Sequence, residues 1–392
     1  MPKPHLFWLV YAIIIKMKNM KKLLISAIVL LTILTGCKPN NLQQYRMISF
    51  DSGFDTFFTL VGYADSEEKF IEYFQLMEKE AYHYHQLFDK YHEYEGFNNI
   101  YTINQMAGIA PVVVDKEIIN LLLLSQQWSE ETNGIFDITL GSVLTIWHDY
   151  REEGMQLNDM GLYGEIPPYE DLLVAYEYVG WQYIEIDQEK QTVYLTDARV
   201  SLDVGSVAKG YAVEMIALKL EEAGLKYASI SGGGNVRTIN SKPDGSSWNI
   251  SVRTPNSMVN ESLALLSIQS SYSVVTSGDY ERYYLAEGDL VLHHIIDPRT
   301  LMPTKNARSV TVVYPDSGVA DILSTVFAVY TYDEGVAFLN QYNAEHPDNP
   351  IGVLWVFTDP QNQYEGYREI QSQGFTLYIS DSLIEIITIN GD

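Results

Sequence analysis

The stretch Ser201-Leu202-Asp203-Val204-Gly205-Ser206-Val207-Ala208-Lys209-Gly210-Tyr211 places a carboxylate, a small-residue turn and a lysine in one strand-turn-helix pattern. The apolar spacing predicts a strand over 194–202 and a helix over 206–222 that Gly224 stops, with Lys209 in its first turn. A helix start exposes unpaired N–H groups and the positive end of the macrodipole, so small residues and a lysine there suit a phosphate. The same residues also describe a buried strand capped by Asp203, and nothing within the stretch separates the two readings.

Other reactive groups gather in the C-terminal half. Thr276-Ser277-Gly278-Asp279-Tyr280-Glu281-Arg282 packs hydroxyl, carboxylate and guanidinium into a turn. His294-Ile295-Ile296-Asp297-Pro298-Arg299 closes a strand expected over 290–296. Alternation places His294 and Asp297 on opposite faces of a strand, so they share a site only if it ends near Ile296. The alternative is a hydrogen-bonded turn with a solvated histidine. Ala320-Asp321-Ile322-Leu323-Ser324-Thr325 opens an apolar helix on which Asp321 and Thr325 lie on one face, with Ser324 beside them. These hard oxygen donors suit Mg²⁺ with phosphate completing the shell; otherwise Asp321 offsets the helix dipole while Thr325 bonds its own backbone. Together with the glycine-rich strand exit Ser231-Gly232-Gly233-Gly234-Asn235, these pieces fit metal-assisted chemistry on a phosphate ester. Acyl transfer fits less well, because no nucleophile elbow is present, and the glycines lack the spacing of a dinucleotide fingerprint.

The elements that must position these groups follow from periodicity. Residues 46–63 alternate loosely around Gly53 and predict a first strand or hairpin. Phe70, Phe74, Met77, Ala81, Tyr84 and Phe88 recur at helical spacing, so 67–89 is an amphipathic helix. A second helix is expected over 115–132, stopped by Asn133-Gly134. Beyond it, Gly134-Ile135-Phe136-Asp137-Ile138-Thr139-Leu140-Gly141 holds one carboxylate, Asp137, in apolar company, as a cap or a site residue. Residues 157–169 carry glycine and proline punctuation and are expected as an insertion or loop. Strands at 227–230, 248–253, 263–267, 273–276, 283–285 and 290–296, beside these helices, argue an α+β fold rather than a doubly wound sheet.

The 392 residues are 46% hydrophobic, enough for a large core, and the net charge of −26 argues against nucleic acid, which demands clustered Lys and Arg. The single cysteine, Cys37, excludes an internal disulfide framework and a cysteine-based zinc site. Lys18, Lys21 and Lys22 precede an apolar run over 23–34 that ends Leu34-Thr35-Gly36-Cys37, the pattern of a secretory signal whose end resembles the bacterial lipobox. The expectation is a leader over 1–36, with Met17 or Met20 a more ordinary start, lipidation at Cys37 and a tether over 37–49. That arrangement would hold a domain over 50–392 on the extracytoplasmic face of the cell membrane.

The motifs from Gly134 to Asp137, Asp203 to Tyr211, Gly232 to Asn235, Ser277 to Arg282, His294 to Thr300 and Ala320 to Thr325 occur in an order that resembles the ApbE family of FAD:protein FMN transferases. The resemblance runs from about Phe50 to near the C-terminus and implies an ApbE-type, T-fold-like α+β domain of antiparallel sheets with packed helices. It implies an enzyme that takes FAD as substrate and cleaves its pyrophosphate with Mg²⁺. FMN would be esterified onto a threonine or serine of an extracytoplasmic acceptor flavoprotein, such as a redox complex subunit, and AMP released. By the same resemblance Phe54, Ile135, Phe136, Asp137, Asp203, Lys209 and His294 would contact FAD. His294 and Asp321 would be catalytic, while Asp321, Thr325, Ser324 and the Ser206 carbonyl would hold the metal. An FAD pyrophosphatase and a non-catalytic flavin-binding lipoprotein are the alternatives, and the Asp321/Thr325 pair argues against the second. Three departures stand out: Phe54-Asp55-Thr56 where the family has Met-Gly-Thr, Leu301 where a glycine follows Asp-Pro-Arg-Thr, and Asn240 where a glycine often follows the glycine-rich strand.

Overall fold

The computed structural model describes residues 42–256 and 261–391. The expected leader, Cys37 and most of the polar span 38–44 therefore lie outside the described residues. The described chain opens as a hairpin, β1 (Gln43–Ser49) and β2 (Phe58–Ala64), followed by α1 (Glu67–Phe88) and α2 (Ile100–Gln105). β3 (Val112–Val113) leads to α3 (Lys116–Glu131), α4 (Gly141–Asp159) and α5 (Tyr169–Tyr176). β4 (Ile184–Asp187) and β5 (Thr192–Leu195) precede α6 (Ala208–Glu222). Then come β6 (Ala228–Gly232), β7 (Asn235–Ile239), β8 (Trp248–Arg253), β9 (Ser262–Ile268) and β10 (Ser273–Gly278). β11 (Tyr283–Ala286), β12 (Leu290–His293), β13 (Ile296–Asp297), β14 (Met302–Pro303) and β15 (Ser309–Tyr314) reach α7 (Ser317–Val329) and α8 (Tyr332–Glu345). β16 (Gly352–Phe357), β17 (Tyr367–Ser372), β18 (Phe375–Ser380) and β19 (Ile387–Ile389) follow.

A nine-stranded antiparallel sheet in the order β1-β2-β6-β7-β10-β15-β16-β18-β17 is the spine, so the fold is α+β. One face carries α1, α6 and α7 over a core containing Phe58, Leu60, Ile230, Val310 and Trp355. The other face is covered by the three-stranded sheet β19-β9-β8 through Val252, Leu266, Leu354 and Val356. Burial on both faces explains why β16 reads as an unbroken apolar run instead of alternating. A smaller cluster under α4 and α5, around Trp147, Leu172 and Tyr284, seats the β11–β12 hairpin.

Several expected elements move. The strand expected over 194–202 ends at Leu195, because Asp197 turns the chain by accepting from Arg199 N–H and side chain. The helix expected from Ser206 begins at Ala208 and still carries Lys209 in its first turn. The helix expected to open at Ala320 begins at Ser317 under an Asp316 cap, so Asp321 sits in the second turn, away from the dipole end. The strand expected over 290–296 breaks after His293, whose Nε2 is fixed 2.7 Å from the Thr304 carbonyl. Part of the expected loop over 157–169 is the end of α4, and the end of the expected tether is β1, an edge strand paired with β2.

Candidate active site

A glycine presses the two principal helices of the site together. Gly210 N–H donates to Asp321 Oδ2 at 2.8 Å, and a Cβ at Gly210 would lie 2.3 Å from Ser317 O and 2.4 Å from Asp321 Cβ. The Lys209 helix and the Asp321 helix can approach this closely because residue 210 has no side chain. Glu214 on α6 fixes the same junction: it accepts Ser317 N–H at 2.8 Å and pairs with Arg237 of β7 at 2.8 and 3.1 Å.

Asp321 is buried, and burial pushes its carboxyl pKa up, opposed by Lys209, Gly210 N–H and the nearby Asn235 side chain. Asn235 Nδ2 is itself buried without a hydrogen bond. Ser324 Oγ donates to Asp321 O at 2.9 Å and meets Ser277 Oγ at 2.7 Å, which leaves it one lone pair. Thr325 is half-buried, and its bond to Asp321 O is long at 3.4 Å, so its hydroxyl is weakly committed. Among the described residues no group of three or more His, Cys, Asp or Glu could hold a metal ion. A hard cation here would depend on Asp321 and Thr325, with Ser324 and the Ser206 carbonyl contributing, and on ligand oxygens; this donor set fits Mg²⁺. Ser206 lies half-buried in the turn before α6.

His294 follows β12 outside any strand. Burial pushes its pKa down to about 3, reinforced by His293, Arg282, Arg151 and Lys209, and its Nδ1 is buried without a hydrogen bond. The imidazole is therefore neutral at neutral pH, inside a positive field that is local in a chain of net charge −26. Asp297, its expected companion, is elsewhere engaged: Arg299 grips it at 2.9 and 3.0 Å while donating to the Val329 carbonyl at 3.3 Å. The aspartate therefore anchors the end of α7 and does not share the site.

Asp203 meets a partner that sequence reasoning missed. Lys90 Nζ donates to Asp203 Oδ2 at 2.7 Å, with the two side chains only 11% and 16% exposed. Burial raises the Asp203 pKa, but Lys90, Gly205 N–H and Arg151 outweigh it and hold the carboxyl below its ordinary range. Asp203 N–H donates to Ile138 O at 2.8 Å, so the 134–141 stretch runs beside it. A Cβ at Gly141 would lie 2.2 Å from Ser201 O, another contact that only glycine permits. Burial raises the Asp137 pKa, while the Phe136 side chain is a core residue 2% exposed. The Phe136 side chain belongs to the main core cluster, and Ile135 beside it is half-buried and packs against that cluster.

Phe54 lies in a turn that abuts the glycine-rich hairpin: Thr56 Oγ1 is 2.8 Å from where a Gly233 Cβ would stand. Gly233 and Gly234 have φ of 55° and 93°, the two-residue turn that lets β6 fold back as β7 and delivers Asn235 beside Asp321. Besides Lys90, sequence reading missed Arg151; a lone lysine after a helix and an arginine inside an unexpected helix carry no local signal.

Fold and site together define an α+β domain with a cationic seat beside a buried carboxylate, suited to a polyanionic ligand. The chain belongs to the ApbE family, whose profile matches residues 54–346. It is 29% identical over 246 residues to a protein of Klebsiella pneumoniae (strain 342) named FAD:protein FMN transferase, covering 62% of this chain and 72% of that one. A protein of the same name from Treponema pallidum (strain Nichols) is 28% identical over 271 residues, 66% of this chain and 70% of its own length. The solved ApbE protein of Thermotoga maritima superposes with a TM-score of 0.65 at 26% identity, covering 80% of this chain and 94% of that chain.

Proposed function

We infer that this chain is a FAD:protein FMN transferase, joining FMN through its phosphate to a threonine or serine hydroxyl of an acceptor protein and releasing AMP. The observation that carries this reading is the unpartnered Nδ1 of a neutral His294, set in the field of Lys209, Arg151 and Arg282. Those cations attract the FAD pyrophosphate, whose negative charge in turn raises the basicity of the imidazole. The acceptor oxygen bonds to the FMN-side phosphorus, its proton passes to His294, and the bond to the AMP oxygen breaks. Lys209 and the start of α6 offset charge on the departing AMP. Asp321, Thr325, Ser324 and the Ser206 carbonyl would hold Mg²⁺, which when bound supplies Lewis-acid charge to the pyrophosphate oxygens. Asp203 and Asp137 flank the seat and would grip the nucleotide.

Lipidation of Cys37 would tether the enzyme to the extracytoplasmic face of the cell membrane, where acceptor flavoproteins of redox complexes are available. Palmitate labelling of the expressed chain, abolished in Cys37→Ser, is the expected outcome. The function is tested by incubating protein with FAD, Mg²⁺ and a threonine-bearing acceptor, then measuring the acceptor's intact mass. A mass gain equal to an FMN adduct with matching AMP supports transfer; free FMN with AMP and no adduct shows a pyrophosphatase instead.

A further inference from the structure

The loop carrying Phe54 is strained and held from a distance. Phe54 and Asp55 are consecutive non-glycine residues with φ of 58° and 50°, in the left-handed region that costs most side chains stability. Phe54 N–H donates to His85 Nδ1 at 3.1 Å, from a residue on α1. That bond assigns the tautomer: Nδ1 accepts, so Nε2 carries the proton and donates to Tyr94 Oη at 3.1 Å. Tyr94 O–H then donates to Asp89 Oδ2 at 2.8 Å. Asp89 Oδ1 also accepts the N–H groups of Tyr91 and His92 at 2.6 and 3.2 Å, fixing the loop that presents Lys90 to Asp203. Gly53 completes the fit, since a Cβ there would stand 2.4 Å from His85 Cγ.

The geometry points to His85 as a positioning residue for FAD: its Nδ1 holds the loop 53–56 in its left-handed shape, and the Tyr94–Asp89 chain holds His85. The inference rests on the transferase reading, in which Phe54 borders the flavin. His85 touches no reacting group; it acts through the backbone of Phe54. The same network ties two separate borders of the site together, the Phe54 loop against Gly233 and the Lys90 loop against Asp203.

The test separates the two ends of the imidazole. In His85→Asn the amide oxygen replaces Nδ1 and can still accept from Phe54 N–H. In His85→Gln the longer amide reaches toward Tyr94 and leaves Phe54 N–H without its acceptor. With FAD and Mg²⁺ as probes, His85→Gln should raise the FAD dissociation constant and the apparent KM about ten-fold, the equivalent of one lost hydrogen bond, while kcat changes less than about two-fold. His85→Asn should restore binding to within about three-fold of wild type. Tyr94→Phe, which cuts the network one step further out and removes no apolar contact, should weaken FAD binding by about three-fold and serves if His85→Gln does not fold. Equal FAD affinity in wild type, His85→Gln and Tyr94→Phe overturns the inference and leaves the transferase reading intact. Wild type that neither binds FAD nor releases AMP overturns the transferase reading first and this inference with it.

Discussion

The site has two walls built by different physics. One is the helix pair α6 and α7, where Gly210 brings backbone against backbone and Asp321 is sealed in a core shared with the main sheet. The other is a pair of loops, 53–56 and 89–94, whose shape is set by polar bonds, with left-handed residues in the first and ring contacts of Phe54, Tyr91 and Tyr94 as their apolar packing. The helix wall resists deformation because interiors are close-packed, whereas the loop wall stands only while each donor keeps its acceptor. Function and stability should therefore separate: changes at the helix wall can abolish chemistry without unfolding, and changes at the loop wall should cost stability or affinity.

The largest effect should fall on the helix wall. Asp321→Ala is expected to slow AMP release from FAD about 10³-fold, the several kcal/mol that metal-assisted charge stabilisation supplies. Its melting temperature should stay near that of wild type, because losing a buried carboxylate whose pKa burial pushes up offsets leaving the buried Gly210 N–H without its acceptor. Substantial activity in Asp321→Ala would erase the contrast between the walls. Lys90→Met comes next and should destabilise by about 3 kcal/mol, since it leaves Asp203 buried without its partner. The sign with pH follows from Asp203 lying below its ordinary range when folded: the wild-type benefit is present above that range and is lost as pH falls through the folded value. In the variant the largest opposing charge is gone and only Gly205 N–H and Arg151 still act against burial, so the folded Asp203 pKa moves up and urea unfolding at neutral pH and near pH 4 should show the gap narrowing with acid. Gly210→Ala should cost about 2 kcal/mol through overpacking, and thermal melts check it.

A smaller effect concerns His294 alone. With its pKa pushed down to about 3, the imidazole of the free protein should remain neutral from pH 8 to pH 5. Because the native state keeps this group neutral while the unfolded chain protonates it near its ordinary value, its contribution should lower stability progressively as pH falls below about 6.5. An imidazole NMR titration midpoint near 6.5 for His294 in the free protein would show that the ring is neither buried nor held in a cationic field.

What the sequence made legible follows the same division. Asp203, Lys209, Asp321 and Thr325 stand on the turn and helices that local spacing predicts, and those placements survive shifts in element ends. Lys90 and His85 were not found, because each meets its partner across 113 or 31 positions with no periodic signal. The helices α4 and α5 carry no clear apolar period in the sequence, whereas the hairpin expected around Gly53 is β1 with β2, only its first residues preceding the expected span. Asp297 looked like a site residue because its role, gripping Arg299 at the end of α7, is decided by tertiary contact. The departures from family glycines are more instructive still. Asp55, Asn240 and Leu301 have φ of 50°, 52° and 59°, so the left-handed backbone persists where the glycine does not. Compensation is visible at two of them: Asn240 donates to Lys226 O at 2.9 Å, and Leu301 is buried while its carbonyl accepts from Trp147 Nε1 at 2.8 Å.

Asp55 has no comparable compensation: its side chain is exposed on the loop wall. Restoring glycine there should therefore stabilise the folded protein, but only slightly, because aspartate tolerates the left-handed region better than most residues. The expected gain is about 0.5 kcal/mol, read as a small rise in the urea midpoint with unchanged slope. At Leu301 the same change should have the opposite sign, since removing a side chain only 2% exposed costs more burial than relaxed φ returns. If Asp55→Gly destabilised as Leu301→Gly does, the left-handed turn at 53–56 would draw stability from the Asp55 side chain itself, and the contrast between Asp55 and Leu301 would fall.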